Sequence, residues 1–285
     1  MIVARDRETL AAALADLRAG GARVGFVPTM GYLHEGHLSL VDRAREAADR
    51  VVVSIFVNPL QFGPGEDLDR YPRDLERDLD LCGRRDVDLV FAPADEAVIY
   101  PDGAPLVTVD PGPLAERLCG RYRPGHFRGV LTVVARLFGL VRPDVAVFGR
   151  KDFQQGVLVR RMVADLELGV DVRMAPIVRE PDGLALSSRN TYLTPAERAD
   201  AVGLVEGLRA ALAAFAEGER SPMALVDAAA REIARREALE LQYAEVVGPH
   251  LEPVPEADAD SVLALAAFCG STRLIDNAVL GEEAP

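Results

Sequence analysis

The seven residues Val51-Val-Val-Ser-Ile-Phe-Val57 constrain the fold of this chain more than any other stretch. The run is almost continuously apolar and rich in valine, which favours strands. A strand that is apolar on both sides must be covered on both faces, as in the centre of a parallel sheet. Short apolar runs and helical patterns alternate along the first part of the chain. We therefore expect right-handed βαβ crossovers and a parallel sheet.

The predicted elements of this first part are as follows. Strands are expected at 23–27, 51–57, 87–91, 144–148 and 170–176. Helices are expected at 6–17, 73–83, 129–141 and from 149 to about 168, with one more helix beginning near Leu33. Asp6 is the expected cap of the first helix.

The character of the sequence changes after about residue 177. Thr194-Pro-Ala-Glu197 has the pattern of a helix start, with Thr as cap, Pro at the first position and Glu at the third. Two alanine-rich helices are predicted at about 195–217 and 221–238, followed by strands at 241–247, 261–267 and 273–279. We expect a Rossmann-like α/β domain at 1–177 and a smaller α+β lid domain at 178–285.

Charge and cysteine usage exclude several classes of protein. The net charge is −13 and there is no basic run, which argues against broad nucleic-acid binding. A small anionic ligand remains compatible, because a pocket can be locally basic. The three cysteines, Cys82, Cys119 and Cys269, lack zinc spacing and indicate reduced, buried thiols. No run of 18 apolar residues exists and the N-terminus becomes charged at once, so we expect a cytoplasmic protein without a membrane span.

A second stretch, Phe26 to Leu40, predicts a buried strand, a tight turn and a helix. Pro28 removes a backbone donor, so we expect the strand to end there. His34 and His37 are three residues apart and share one face at the start of the helix, with Gly36 leaving the backbone accessible between them. The first amides of a helix are unpaired and attract phosphate. The pattern favours a site for nucleotide phosphates.

Two other interpretations of the histidines stay open at this point. They can lie on the surface at an ordinary helix start, or they can bind a metal ion. Glu35 is the nearest acidic side chain, but on a helix it faces in a different direction from the two histidines. The position directly after a strand favours the nucleotide interpretation, because open α/β sheets bind ligands at the carboxyl ends of their strands. The long loop after Val57 lies at the same kind of edge.

Five blocks of this sequence resemble the pantothenate synthetase (pantoate–β-alanine ligase) family, one of the families with a His-x-Gly-His signature. They occur in order, with the expected gaps, over most of the chain: residues 27–37, 54–62, 123–129, 148–155 and 182–190. Two positions depart from the family pattern. An acidic residue usually stands in place of Arg150, and an apolar one in place of Gly156.

The resemblance implies a ligation in two steps. The carboxylate of pantoate attacks the α-phosphate of ATP and gives pantoyl adenylate and pyrophosphate. The amine of β-alanine then attacks the acyl carbon and gives pantothenate and AMP. Such phosphate chemistry depends mostly on positioning and charge stabilisation. The family also suggests a homodimer formed through the first domain.

The resemblance assigns a role to each candidate site residue. His34 and His37 bind phosphate oxygens, Lys151 pairs with the phosphates from the other side, and a lid loop closes over the β- and γ-phosphates with Ser187, Ser188 and Arg189. Gln61 and Gln155 hold the hydroxyls and carboxylate of pantoate. Mg²⁺ enters with ATP, and Asp78 is its candidate neighbour. The adenosine is lined by Gly149, Asp152 and Val178. Met30 lies against the gem-dimethyl group of pantoate and is also assigned to the ATP site.

Three rival functions are weighed against this one. A nucleotidylyltransferase would stop after AMP transfer and would need a pocket for a phosphorylated acceptor. A tRNA ligase of the same superfamily is disfavoured by the net charge and the lack of an anticodon-binding extension. A degenerate nucleotide-binding subunit is disfavoured by the intact candidate residues. His126 and Arg128 are expected to structure a loop, and His250 to lie on the surface.

Overall fold

The structure is a computed structural model that describes all residues from Met1 to Pro285. The chain forms two compact units. The first contains residues 1–116, 120–150 and 158–176, and the second contains 117–119, 151–157 and 177–285. Two short segments from the first part of the chain thus join the second unit. The simpler division into 1–177 and 178–285 stays a prediction.

A six-stranded parallel sheet forms the centre of the first unit, with strand order β1-β4-β3-β2-β5-β6. Its strands are β1 (Ile2–Ala4), β2 (Val24–Thr29), β3 (Arg50–Ile55), β4 (Leu89–Phe91), β5 (Val145–Gly149) and β6 (Asp171–Ala175). The helices of this part of the chain are α1 (Arg7–Leu17), α2 (Glu35–Ala47), α3 (Leu75–Arg84), α4 (Leu118–Tyr122), α5 (His126–Val141) and α6 (Phe153–Asp165). The predicted α/β class is confirmed.

The valine run behaves as its composition predicts. Val51, Val52 and Val53 are 0% exposed, and β3 lies between β2 and β4. Asp6 caps α1 by accepting a hydrogen bond from the Thr9 amide. Strand β1 is absent from the sequence prediction, because three residues beside a charged stretch carry too little pattern. It pairs with β4 at the edge of the sheet.

The prediction that Pro28 ends its strand is wrong, since β2 continues through Pro28 to Thr29. At these positions β2 pairs with β3, where Pro28 lies opposite Ser54. The pairing of β2 with β5 involves only Gly25 and Phe26. The missing donor of Pro28 therefore falls beyond the paired part of that side, where proline is tolerated.

The order of the strands locates a crevice. From β2 the chain continues to β3 and β4 on one side, and it then returns to β5 and β6 on the other side. The direction of winding reverses between β2 and β5. In open α/β sheets, ligands bind at this reversal, outside the carboxyl ends of the strands. Loops that follow β2, β3 and β5 accordingly border the expected site.

The second unit packs helices on a small antiparallel sheet of order β7-β8-β9, as predicted. Its elements are α7 (Pro195–Ala201), α8 (Gly203–Ala216), α9 (Pro222–Ile233), β7 (Leu239–Val247), β8 (Val262–Cys269) and β9 (Thr272–Val279). Thr194 and Glu197 form the expected capping box. None of the helices in either unit has the length and apolar character needed to cross a membrane.

The single helix predicted over 195–217 is divided at Val202. Gly203 begins α8 at a point of close approach, because a Cβ there would lie 2.6 Å from Cγ of Arg236 and 2.9 Å from Cδ1 of Leu239. The backbone of Val202 itself keeps helical angles, φ −60° and ψ −23°, so the two helices meet there without an irregular linker.

Truncation of Leu208 tests the core of the second unit. Leu208 is 0% exposed and lies in one cluster with Leu225, Leu263 and Leu265. We expect Leu208→Ala to lower the free energy of unfolding, measured in urea, by about 2–5 kcal/mol, because it leaves a cavity. Met223 is 73% exposed, and Met223→Ala should change the same quantity by less than about 0.5 kcal/mol. Equal losses would contradict the packing described.

Candidate active site

The turn after β2 is held from below by one buried carboxylate. Asp78 on α3 accepts hydrogen bonds from the backbone N–H groups of Tyr32 and Leu33, both at 2.7 Å, and its side chain is 1% exposed. Gly31 has φ +85°, and a Cβ there would lie 2.9 Å from Ile55 and 3.0 Å from Asp78. Tyr32 also has a positive φ of 51°. The carboxylate thus stabilises a turn with positive φ angles, which residues other than glycine rarely adopt.

The same contacts bear on the predicted metal role of Asp78. Burial raises the pKa of Asp78, and the hydrogen bonds from Leu33 and Tyr32 act in the opposite direction. Each carboxylate oxygen faces a backbone N–H, which suits the ionised form. No group of three or more histidine, cysteine or acidic side chains is arranged to hold a metal ion. Asp78 thus serves the turn, and its position beside Mg²⁺ stays a prediction without structural support.

The two histidines form the N-terminal cap of α2. His34 is the N-cap residue, and its Nδ1 accepts a hydrogen bond from the Gly36 amide at 3.1 Å. Nδ1 of His37 accepts from the His34 amide at 3.4 Å. The ring centroids are 4.1 Å apart. Since Nδ1 is the acceptor in both rings, the proton of each neutral imidazole belongs on Nε2.

This geometry gives each histidine two functions. Nδ1 satisfies a backbone donor of the first helical turn. Nε2–H is a hydrogen-bond donor on the opposite side of the ring, suited to an anionic oxygen. The sequence predicts the shared face, but not that the histidines themselves replace the usual Ser, Asp or Asn cap.

The turn after β3 brings Gln61 to Met30. Gln61 Nε2 donates to Met30 Sδ at 3.1 Å, and its Oε1 accepts from Asn58 Nδ2 at 3.1 Å. Asn58 is 1% exposed, and its Oδ1 accepts from the Tyr100 hydroxyl at 2.9 Å. Burial raises the pKa of Tyr100, so its phenol remains protonated and able to donate. An amide and a thioether thus lie together beside the turn after β2.

Asn58 contacts the candidate residue Gln61, and Tyr100 contacts Asn58, but the sequence prediction names neither of them as a site residue. An asparagine directly after a buried strand is a usable signal for Asn58, since such positions border ligand crevices in α/β sheets. Tyr100 has no comparable signal. It lies 42 positions away along the chain and reaches Asn58 only in the folded structure.

Gly149 is the last residue of β5 and pairs with Ala175 on β6. Of the predicted site residues, the first unit thus contains Met30, His34 and His37 after β2, Gln61 after β3 and Gly149 at the end of β5. All of them lie at the carboxyl edge of the sheet. They therefore border the crevice expected where the winding reverses, between β2 and β5.

Apart from Asp78, which also belongs to the first unit, the remaining predicted residues belong to the second unit. The backbone carbonyl of Lys151 accepts from Asn277 Nδ2 at 3.0 Å. Asp152 is exposed and Gln155 is half-buried, whereas Gln154 is buried and donates to the Arg117 carbonyl at 2.9 Å. The structure therefore leaves Gln155, and not its neighbour, with a side chain accessible to a ligand.

The predicted lid loop follows a short hairpin in the same unit. The Leu186 amide donates to the Val178 carbonyl at 3.0 Å. Ser187 caps the next helical turn by accepting from the Arg189 amide at 3.3 Å, and Ser188 is 6% exposed. Arg189 is half-buried. The three residues are consecutive at the start of one 3₁₀ turn, Ser188–Tyr192.

Comparison with known proteins finds similar chains. The family model described as pantoate-beta-alanine ligase matches residues 2–279. Pantothenate synthetase 1 of Bradyrhizobium diazoefficiens is 54% identical over 94% of this chain and 94% of its own length. The pantothenate synthetase of Thermotoga neapolitana is 52% identical over 93% of this chain and 95% of its own.

Two solved structures extend the likeness to three dimensions. Pantothenate synthetase from Thermus thermophilus matches with a TM-score of 0.91 and 47% identity, over 99% of this chain and 100% of that one. Pantoate-beta-alanine ligase from Francisella tularensis, complexed with beta-gamma ATP and beta-alanine, matches with a TM-score of 0.85 and 34% identity, over 100% of both chains.

Replacement of Asp78 by asparagine tests the support of the turn. Asparagine keeps one acceptor oxygen but directs an amide donor at the second backbone N–H. We expect Asp78→Asn to lower the free energy of unfolding by about 1–3 kcal/mol, the cost of a buried unpaired donor. Asp80→Asn is the matched control, because Asp80 is exposed on the same helix and pairs with Arg84 at 2.7 Å. The control should lose less than about 0.5 kcal/mol, and equal losses would contradict the assigned role.

Proposed function

Because the chain belongs to the pantoate–β-alanine ligase family, we propose that it joins pantoate to β-alanine at the expense of ATP, through a pantoyl-adenylate intermediate. The enzyme is accordingly a carbon–nitrogen ligase. The observation that carries this proposal is the pair of histidines at the start of α2, beside the contact of Gln61 with Met30. This arrangement lies at the reversal of the sheet in a chain that matches the family over residues 2–279.

The reaction consists of two displacements. A carboxylate oxygen of pantoate forms a bond to the α-phosphorus of ATP, and the bond from that phosphorus to the bridging oxygen breaks, so pyrophosphate leaves. The amine of β-alanine then bonds to the acyl carbon, AMP leaves with the adenylate oxygen, and the amine loses a proton. Neither displacement requires a covalent bond to the protein. Positioning and charge stabilisation are the protein's contribution.

The histidines supply charge stabilisation in the first displacement. Nε2–H groups of His34 and His37 donate to phosphate oxygens of ATP, where negative charge increases in the transition state. The first amides of α2 add further donors and the positive end of the helix dipole. Because Nδ1 of each ring is held by a backbone amide, the donor direction of each ring is set before the ligand binds.

The pantoate pocket follows from the contact of Gln61 with Met30. A neutral amide donates and accepts at once, which fits a ligand with hydroxyl groups beside a carboxylate. The thioether is soft and apolar, which fits the gem-dimethyl group. Gln155, at the start of α6, serves the same substrate. These roles rest on the resemblance to the family and on the accessibility of both glutamines.

Elements of the second unit complete the proposal for ATP. Lys151 pairs with the phosphates, and Ser187, Ser188 and Arg189 close over the β- and γ-phosphates. Gly149, Asp152 and Val178 contact adenosine. Support comes from the positions of Lys151 and Asp152 directly after β5 and from the two serines and the arginine at one turn. A related structure of this family is described as complexed with beta-gamma ATP.

Mg²⁺ accompanies ATP in this proposal. Carboxylate groups arranged as a dedicated metal site are not found in this chain. The ion would be held mainly by phosphate oxygens, as is common for Mg²⁺ at nucleotide sites. It would neutralise charge on the departing pyrophosphate.

We also propose a homodimer in the cytoplasm. All three cysteines are free and buried, which fits a reducing compartment. The proposal of a dimer rests on the resemblance to the family. Sedimentation equilibrium tests it by measuring the molecular mass in solution.

The two half-reactions test the function directly. ATP with pantoate alone should release pyrophosphate but no free AMP beyond slow hydrolysis. Addition of β-alanine should then release AMP and form pantothenate, which is detected by mass spectrometry. AMP release that is independent of an amine would instead indicate a nucleotidylyltransferase, and the absence of pyrophosphate release with pantoate would reject the proposal.

The variant His34→Asn separates catalysis from capping. Asparagine is a good N-cap and its oxygen can accept from the Gly36 amide, but it lacks the Nε2–H donor. We expect the rate of pantoyl-adenylate formation to fall roughly 10²–10³-fold, as for other lost transition-state donors. The free energy of unfolding should change by less than about 1 kcal/mol, whereas His34→Ala should lose both rate and cap. Adenylate formation within about fivefold of the wild type would reject the assignment.

A further inference from the structure

The block Arg123–Gly129 has no part in the reaction derived above, yet the first turn of α5 lies against the turn that contains Gln61. We propose that His126 is a positioning residue for pantoate, which holds the backbone of Gln61 and thereby directs the Gln61 amide toward the substrate. This inference rests on the proposed function, in which Gln61 contacts pantoate.

The backbone carbonyl of Gln61 is held by two side chains. Its oxygen lies 2.8 Å from Nδ1 of His126. The same oxygen accepts a second hydrogen bond from Nη2 of Arg123 at 3.3 Å. A loop carbonyl with two side-chain donors has little freedom to rotate its peptide plane.

The neighbours of His126 determine its tautomer. A carbonyl oxygen only accepts, so Nδ1 of His126 carries the proton. On the other side of the ring, Nη1 of Arg123 donates to Nε2 at 3.1 Å. Nε2 is therefore the unprotonated nitrogen, and the ring is neutral with its single N–H directed at Gln61.

Glu66 holds Arg123 in place. The guanidinium donates from Nε to Oε1 at 2.7 Å and from Nη2 to Oε2 at 2.5 Å. Burial opposes ionisation of Glu66, but the hydrogen bonds and charge of Arg123 outweigh it, and the pKa of Glu66 is lowered. The paired arginine thus presents Nη1 to His126 in one orientation.

Gly129 secures the other end of the same turn. His126 and Gly129 are three residues apart on α5 and share a face. A Cβ on Gly129 would lie 2.1 Å from the Leu60 oxygen and 2.7 Å from the Gln61 nitrogen. The Gly129 carbonyl accepts from Asn58 Nδ2 at 3.1 Å. One face of α5 therefore holds the turn from Asn58 to Gln61 at both ends.

The result is a defined direction for the Gln61 amide. Asn58 donates to Oε1, so Nε2 is the group that faces Met30. A thioether sulfur is a weak acceptor. A substrate hydroxyl or carboxylate can replace it without loss of a strong contact. Displacement of the Gln61 backbone by even about 1 Å would misalign this donor, and errors of that size at a reacting site are costly.

Two substitutions of His126 separate positioning from bulk packing. We expect His126→Ala to raise the KM for pantoate roughly 5- to 30-fold, the range for loss of one or two hydrogen bonds. The KM for ATP should stay within about twofold. In His126→Asn, Nδ2 can donate from near the position of Nδ1, so most of the affinity for pantoate should return. Arg128→Ala is the matched control, because Arg128 lies two residues away, is exposed and pairs with Asp110. It should leave both constants unchanged.

A double-mutant cycle with Gln61→Ala shows whether His126 acts through Gln61. Gln61→Ala alone should raise the KM for pantoate, and addition of His126→Ala to it should raise the constant by less than about twofold further. Additive effects, or failure of His126→Asn to restore binding, would overturn the inference while leaving the proposed function intact. If Gln61→Ala leaves the KM for pantoate unchanged, the pantoate pocket itself is wrong, and the role of His126 falls with it.

Discussion

The site depends most on one interaction, in which the Asp78 carboxylate accepts hydrogen bonds from the backbone N–H groups of Tyr32 and Leu33. It stabilises the positive φ of Tyr32 and brings α3 against the chain between β2 and α2. His34 begins α2 directly after this turn. A different turn would start the helix at another angle and would direct both imidazoles away from the carboxyl edge of the sheet. The buried carboxylate thus supports the proposed phosphate site through the backbone of the turn that precedes it.

The histidine pair couples local folding to chemistry in a similar way. An N-cap residue must accept a hydrogen bond from the first turn, whereas a side chain that binds phosphate must donate one, because phosphate oxygens accept. Imidazole does both because its nitrogens are separate atoms on opposite sides of a rigid ring. Serine and aspartate are more usual caps, but aspartate would repel an anion, and serine lacks a rigid ring that directs a separate donor away from the cap. A histidine at the cap position is therefore suited to the proposed phosphate site at the start of α2.

Several features of the fold and the site could be predicted because their causes are local. The valine run of β3, the Asp6 cap of α1 and the capping box at Thr194 all express short-range patterns, and the structure contains each. Other features depend on distant segments. Pro28 fits within β2 only because of where β5 pairs, and Gly203 at the start of α8 lies close to the side chain of Arg236. The role of Asn58 depends on its hydrogen bonds with Tyr100 and Gly129, and no spacing in the sequence predicts these contacts.

The residues that were hardest to predict act mainly on the backbone of others. Asp78, His126 and Gly129 all hold main-chain atoms of the first unit. The second unit repeats the principle on β9. Asn277 donates to the Lys151 carbonyl, and Asp276 pairs bidentately with Arg179, which in turn donates to the Gly183 carbonyl in the hairpin before Ser187. A sequence motif contains candidate ligand-binding residues and backbone-supporting residues without distinguishing them. The structure distinguishes the two kinds, because it shows which side chains bind to the main chain of other residues. The sequence blocks of this chain therefore combine candidate binding groups with the residues that support their backbone.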